Sequence, residues 1–428
     1  MAEVRSPEPV ESFPDPARRW IGGASAVVLT VLWALGVWRV WSHTLAKPLE
    51  LDWSPYAYSD YLINYAGGFV RRGLGGEILR HLGSDGAASL ATVNAIVFAV
   101  YLVFSLAFLR LAFRIGVTQQ RLLAMLVFWL APGGPLGDAV EGDFYPRKDF
   151  FFLLFVLAVA VLARHGPERE PRRGAASTAV LMAITLAGSA ALSLIHEGFL
   201  FIAAVPIALV LYDRFADNGR PRASIVACLY LIFCALLFAT ASLFKGDAAT
   251  VTAIWHSIGA TNRAIIAPDG APSGGIEALQ FSLLQGMDMP WAYLRTGLVW
   301  YWVLGLGASA TICLYVAAAP ADQRRASLAR AAVLYGALVA GTVPLYLLAW
   351  DWGRWIVAAN VAFFFLYDRL RHLPPPLERA SARLAPLLPA FASNFAPLAL
   401  GAFLVLFELT YRLPECCISG PSRHFVGH

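Results

Sequence analysis

Apolar runs close to 20 residues long recur along almost the whole chain, and about 20 apolar residues is what a helix needs to cross the hydrocarbon core of a bilayer. The first is 21–41, IGGASAVVLTVLWALGVWRVW, with tryptophans at its far end as an interfacial belt would place them. Runs at 89–109, 122–138, 149–163, 175–194, 199–212, 224–243, 293–317, 331–349, 354–367 and 389–410 bring the count to eleven, within a range of ten to thirteen. The third is interrupted by APGGPLG, and the sixth is short enough to be tilted, distorted or re-entrant. The pattern predicts an all-α chain: one polytopic transmembrane helix bundle over 21–410, between polar tails at 1–20 and 411–428. The proline-containing lead does not read as a cleaved signal peptide, because the apolar run behind Arg18 and Arg19 is too long.

Two polar stretches, 42–88 and 245–292, are too long to be simple turns. In the first, Leu74, Ile78 and Leu79 form one stripe against Glu77 and Arg80, which predicts a helix over Gly73 to His81 lying in the membrane interface. NYAGG just before it is a turn signal. In the second, HSIGATNRAII predicts another short interfacial helix, and PDGAPSGG a mobile turn able to cover a site.

Composition agrees with the pattern. A chain of 428 residues that is 58% hydrophobic and 14% charged lies outside the range of ordinary soluble domains. Its five cysteines show no metal-ligand spacing. The net charge of +5 does not indicate nucleic acid, because the arginines gather in short loops between apolar runs. With Arg18 and Arg19 placed inside, every second connection is basic: Arg110/Arg114/Arg121, Arg164/Arg169/Arg172/Arg173, Arg214/Arg220/Arg222, Arg324/Arg325/Arg330 and Arg369/Arg371/Arg379/Arg383. The expected topology is a multi-pass protein of a bacterial inner membrane, N-terminus cytoplasmic and C-terminus extracytoplasmic.

That topology gathers four charged, aromatic islands on the extracytoplasmic side: DWSPYAYSDYLINYAGGFVRR, EGDFYPRKD, HEGF and DWGRW. The first carries Asp52, Asp60, Arg71 and Arg72; it reads as an amphipathic collar or as a general base with a cationic grip on an anion. Its two arginines run against the inside-positive bias. The second carries Glu141, Asp143, Arg147 and Lys148, with Asp149 placed to cap the next helix; a cation pair there suits a phosphate or pyrophosphate. His196 and Glu197 read as a hydrogen-bonded interfacial pair or as substrate orienters, and two such groups do not specify a metal. Asp351 and Arg354 read as a helix-fixing salt bridge or as a phosphate reader beside aromatic faces that suit a sugar. Arg263 stands in the second long loop. No Walker, GxGxxG, DxD or HExxH motif occurs.

Asp52 and Asp60 in the first loop, and Arg147–Lys148–Asp149 before FFFLLF, resemble the GT-C class of polytopic membrane glycosyltransferases. The resemblance is architectural over most of the chain and residue-level in those two segments, and the soluble C-terminal domain of many class members has no counterpart here. It implies a polyprenyl-phosphate or polyprenyl-pyrophosphate sugar donor among the membrane lipids, and an extracytoplasmic glycan, lipid or protein acceptor. Asp52, ahead of Asp60, would serve as base, and Arg71, Arg72, Arg147, Lys148 and Arg354 would hold the phosphate. The class leaves room for a divalent cation; nothing in this sequence specifies one. Two alternatives stand beside it. An O-antigen-type polymerase or ligase would lean on Arg71, Arg263, Arg354 and His196 or His256. A lipid-linked sugar flippase would want mid-membrane charges and internal repeats, neither of which is clear.

Overall fold

The computed structural model describes residues 16–82, 86–115, 148–164, 171–267, 270–317, 324–348 and 351–388, and every regular element among them is helical. In chain order these are α1 (Pro16–His43), α2 (Pro55–Tyr61), α3 (Gly73–His81), α4 (Ala87–Ile115), α5 (Asp149–Arg164), α6 (Pro171–Ile195), α7 (Phe199–Ala216), α8 (Arg220–Leu243), α9 (Ala248–Ser257) and α10 (Gly259–Ile266). They continue with α11 (Gly274–Glu277), α12 (Leu283–Thr296), α13 (Val299–Ala317), α14 (Arg324–Leu348), α15 (Trp352–Leu366) and α16 (Pro375–Leu384). Among the described residues, six helices are long and apolar enough to cross a membrane, or seven when a bent pair is counted as one span. The chain is a helical membrane protein.

Nine of the eleven expected runs coincide with helices; those at 122–138 and 389–410 lie outside the described residues, as do 1–15 and the C-terminal tail, while 16–20 of the expected N-terminal tail belong to α1. The run expected at 293–317 is not one helix. It breaks at Gly297, whose φ of 74° ends α12 in the left-handed conformation, and the chain turns by 96° into α13. The short run at 199–212 extends into the continuous 18-residue α7, which passes through the core with Pro206 inside it. Still more enclosed is α15: all 15 of its residues are buried. Apart from Arg354 and Asn360 its larger side chains are apolar, a composition that must be surrounded by protein or lipid, and α15 is enclosed by α5, α7, α13 and α14.

The two ends of the bundle differ in chemistry. At one end, arginines hold the 367–374 connector: Arg164 donates to the Asp368 carbonyl at 2.8 Å, Arg330 to that of Leu370 at 2.8 Å, and Arg371 pairs with Asp217 at 2.8 Å. At the other end, α2, α3, α9, α10 and α11 form a cap with its own apolar core of Trp53, Tyr58, Ile63, Leu90, Ile254 and Leu279. Several of its buried polar groups are paired, as burial favours. Trp53 Nε1 donates to Asn94 at 2.9 Å, Tyr58 to Asn262 at 2.8 Å and Asn64 to Ser257 at 2.9 Å. The interfacial helix expected over Gly73 to His81 is α3, and it packs so closely that a Cβ on Gly76 would sit 2.1 Å from the Ile63 carbonyl oxygen. HSIGATNRAII spans the end of α9 and all of α10.

Candidate functional site

Beneath the cap, the ends of four elements bring charged side chains together. Asp60 closes α2, Arg71 and Arg72 precede α3, Lys148 precedes α5, and His196–Glu197 form the turn between α6 and α7. Lys148 Nζ lies 2.9 Å from Asp60 Oδ2 and donates to the backbone carbonyls of Asp60 (2.8 Å) and Ile195 (3.2 Å), so all three of its protons are engaged. Arg72 grips Glu197 with both Nε and Nη2, at 2.5–3.0 Å, and its Nη1 is 3.5 Å from Asp60 Oδ1. Arg72 is also the one non-glycine among the described residues with a positive φ, 66°.

Arg71 is held differently. Its backbone N–H donates to the Phe244 carbonyl at 2.9 Å, yet its guanidinium reaches only long contacts: Glu197 at 3.5 Å and the carbonyls of Ala278, Leu279 and Phe281 at 3.4–3.5 Å. Its Nε is buried without a hydrogen-bond partner, and so is Asp60 Oδ1.

Electrostatics follow from this packing. Burial pushes the Asp60 carboxyl up, but Lys148 and Arg72 outweigh it and hold Asp60 far below the usual carboxylate range. Burial likewise pushes Glu197 up, and Arg72 more than reverses this, leaving it well below. Burial lowers Lys148, with Asp60 pulling in the opposite direction. His196 is pushed down to about 4 by burial and by Arg72, so it is neutral near pH 7. Its Nδ1 accepts the Gly198 N–H at 2.9 Å, which places its proton on Nε2 and makes that face a donor. Three cations against two carboxylates leave the cluster with one excess positive charge.

A second buried group lies where α5 meets α15. Arg354 clasps Asp149 in a two-point bridge at 2.7 and 2.9 Å, also pairs with Asp351, and stacks 4.9 Å from the centre of the Trp355 ring. Asp149 begins its helix, but its carboxylate is turned toward Arg354. Asp351 precedes α15 without a side-chain cap bond. This is the helix-fixing arrangement: Arg354 spends its donors on two carboxylates.

The remaining candidates are apart from the cluster. Asp52, nearly half exposed, pairs with His43 at 2.8 Å. Arg263 closes the end of α9 by contacts with Trp255 and His256. Glu141, Asp143 and Arg147 lie outside the described residues. No group of three or more metal-ligating side chains occurs among the described residues. Sequence reasoning missed Ser59 and, beyond the PDGAPSGG turn expected to cover a site, the rest of the strap at 270–282. Ser59 Oγ accepts the Gly275 N–H at 2.7 Å, and a Cβ on Gly275 would lie 2.9 Å from Asp60. The signal was present in Gly274–Gly275, a pair that permits close backbone approach.

No curated protein and no solved structure matches the chain significantly. A family model does match, over residues 26–258, more than half of the chain; the matched region holds Asp60, Arg71, Arg72, Lys148, His196 and Glu197 and ends before the strap and Arg354. The chain therefore belongs to the family described as "Uncharacterised membrane protein Rv1490".

Proposed function

We propose that the protein is a GT-C-like glycosyltransferase of about eleven spans. It would transfer a sugar from a polyprenyl-phosphate or -pyrophosphate donor to a glycan, lipid or protein acceptor at the extracytoplasmic face of a bacterial inner membrane. The observation that carries this reading is the Asp60 carboxylate, held ionised by Lys148 and Arg72 with Oδ1 lacking a hydrogen bond, beside an arginine whose donors make only long contacts. Phe69, Phe244 and Phe281 are all partly exposed and adjoin Arg71 in the chain or through its backbone contacts, giving an apolar rim that suits an isoprenoid tail.

The roles follow from these positions. The acceptor hydroxyl donates to Asp60 Oδ1. As its oxygen bonds to the anomeric carbon, the carbon–oxygen bond to phosphate breaks on the opposite face, the proton passes to Asp60 and the sugar inverts. A carboxylate held this firmly is a weak base toward a free hydroxyl. It becomes effective as the new bond makes that hydroxyl acidic. The departing phosphate gains negative charge, which Arg71 and the cluster's excess positive charge meet. Lys148 and Arg354, fully engaged within the protein, orient Asp60 and join α5 to α15 instead of gripping phosphate. A polymerase-type mechanism with His196 as base fits less well, since its Nε2 carries the proton.

The test uses vesicles containing the protein, a polyprenyl-phosphate hexose labelled in the sugar, and extracted cell-envelope acceptors. Asp60→Asn should abolish transfer while Asp52→Asn retains it. Wild-type transfer by Asp60→Asn overturns the reading.

A further inference from the structure

The two groups assigned to chemistry are both covered. Asp60 and Arg71 side chains are only 13% and 14% exposed, and part of what covers them is the segment from Gly270 to Ser282. Ile276 and Leu279 anchor it in the apolar core of the cap, and Trp255 Nε1 donates to the Gly270 carbonyl at 3.2 Å; its polar attachments over Asp60 and Arg71 are few. The Gly275 N–H donates to Ser59 Oγ at 2.7 Å, and that hydroxyl donates to the Tyr56 carbonyl at 2.7 Å. The carbonyls of Ala278, Leu279 and Phe281 receive Arg71 Nη2 at 3.4–3.5 Å. Gly270 and Gly274 have φ of 82° and 67°, conformations that let the backbone pivot without a Cβ penalty. The strap rests directly on Asp60, since a Cβ at Gly275 would lie 2.9 Å from Asp60 Cα and Cβ. At its far end, Ser282 and Gln285 form a reciprocal capping box that fixes the start of α12.

We propose that the 270–282 strap is a gate latched by Arg71, and that a phosphate taken by Arg71 releases it and uncovers Asp60. This rests on the phosphate-binding role given to Arg71 above and adds an order of events: anion first, acceptor hydroxyl second. Arg71 cannot serve both partners fully. Three long contacts to neutral carbonyls are weak, whereas a phosphate offers charged acceptors that form shorter and roughly twice stronger bonds. Exchanging one for the other leaves the Ser59–Gly275 bond as the strap's remaining polar tie over α2. Donor binding thus opens the acceptor's path, and without donor the base stays shielded from water.

Backbone hydrogen exchange on the full-length protein in lipid nanodiscs tests this, with geranyl phosphate and inorganic pyrophosphate as probes. Either probe should speed exchange across 274–281 in the wild type, by about fivefold, the factor that corresponds to one net hydrogen bond. Arg71→Gln should show the faster exchange without a probe and no further response. Ser59→Ala, which loses the other tie, should start faster and still respond. Unchanged or slower exchange on adding probe, or an Arg71→Gln strap that exchanges like wild type, overturns the proposal. The readout needs no sugar transfer, so the two readings can fail separately. Transfer without strap release refutes the gate alone, and strap release without transfer refutes the glycosyltransferase reading alone.

Discussion

Replacing Lys148 by methionine probes whether the cluster is an interdependent unit. Lys148 is 2% exposed and its ammonium lies 2.9 Å from Asp60 Oδ2. At that distance two unit charges attract by about 6 kcal/mol at an effective dielectric near 20, and the cost of taking both out of water offsets much of this. Removing one partner keeps the cost and discards the attraction. Asp60 would retain only the longer 3.5 Å approach of Arg72, and the carbonyls of Asp60 and Ile195 would lose a donor. Lys148→Met should therefore destabilise the folded protein by about 3–5 kcal/mol. Asp60→Asn combined with Lys148→Met should recover a large part of that stability, because the carboxylate left without its lysine is gone, and should recover no sugar transfer. The assay is unfolding of detergent-solubilised protein followed by tryptophan fluorescence, read as a double-mutant cycle.

Acid dependence supplies an independent arm. In the wild type the Asp60 pKa is lowered on folding, so its contribution to stability is complete above the ordinary carboxylate range and is lost only as pH falls through the depressed folded value. Without Lys148, burial is opposed chiefly by Arg72, and the same loss begins at higher pH. A Lys148→Met protein with wild-type stability, no coupling to Asp60 and an unmoved acid limb would refute the reasoning.

Further outcomes follow from single contacts. His196, held near pKa 4 when folded and about 6.5 when unfolded, stays neutral while the unfolded chain takes up a proton; stability should fall by about 3 kcal/mol between those pH values, and His196→Gln should flatten that slope in a series of melting curves. Gly76→Ala places a methyl 2.1 Å from the Ile63 carbonyl oxygen, which must displace α3 from the cap; a loss of about 2 kcal/mol or more and faster proteolysis of 62–81 are expected. Asp52→Asn breaks a partly exposed pair with His43 and should change stability by less than about 1 kcal/mol in the same melts.

The helices were legible because lipid leaves the backbone few choices: apolar length alone located the runs, and basic loops told the two ends of the bundle apart. Pairing was not legible. Asp52 looked the better base because it stands nearer the first run, but α1 continues to His43, whose ring takes up Asp52 at the surface. Asp60 meets Lys148 across 88 residues and Arg354 meets Asp149 across 205, separations at which local spacing carries no information. Sequence gave Arg354 only its neighbour Asp351, and so left open a phosphate role that the Asp149 bridge makes unnecessary. Gly297 was readable as a stop only once the run around it was known to fold back by 96°.

The backbone at Arg72 is the strongest reason to treat the cluster as more than a structural clamp. The turn between α2 and α3 is rich in glycine, and it uses that residue where close approach or a positive φ demands it. A Cβ on Gly67 would lie 2.7 Å from the Thr250 carbonyl oxygen, one on Gly73 would enter the Tyr65 ring, and Gly68 has φ of 102°. Residue 72 also needs a positive φ, yet it is an arginine, at a cost of about 1–2 kcal/mol relative to a relaxed conformation. Glycine there would relieve the backbone and leave Glu197 with Arg71 at 3.5 Å as its nearest cation. A clamp built for stability alone has cheaper solutions, such as an apolar pair at positions 72 and 197 with glycine-free geometry. What the strained arginine supplies, and an apolar pair would not, is a fixed positive charge between two buried carboxylates. That charge joins Lys148 in keeping Asp60 ionised and leaves the neighbouring guanidinium of Arg71 without a short partner of its own.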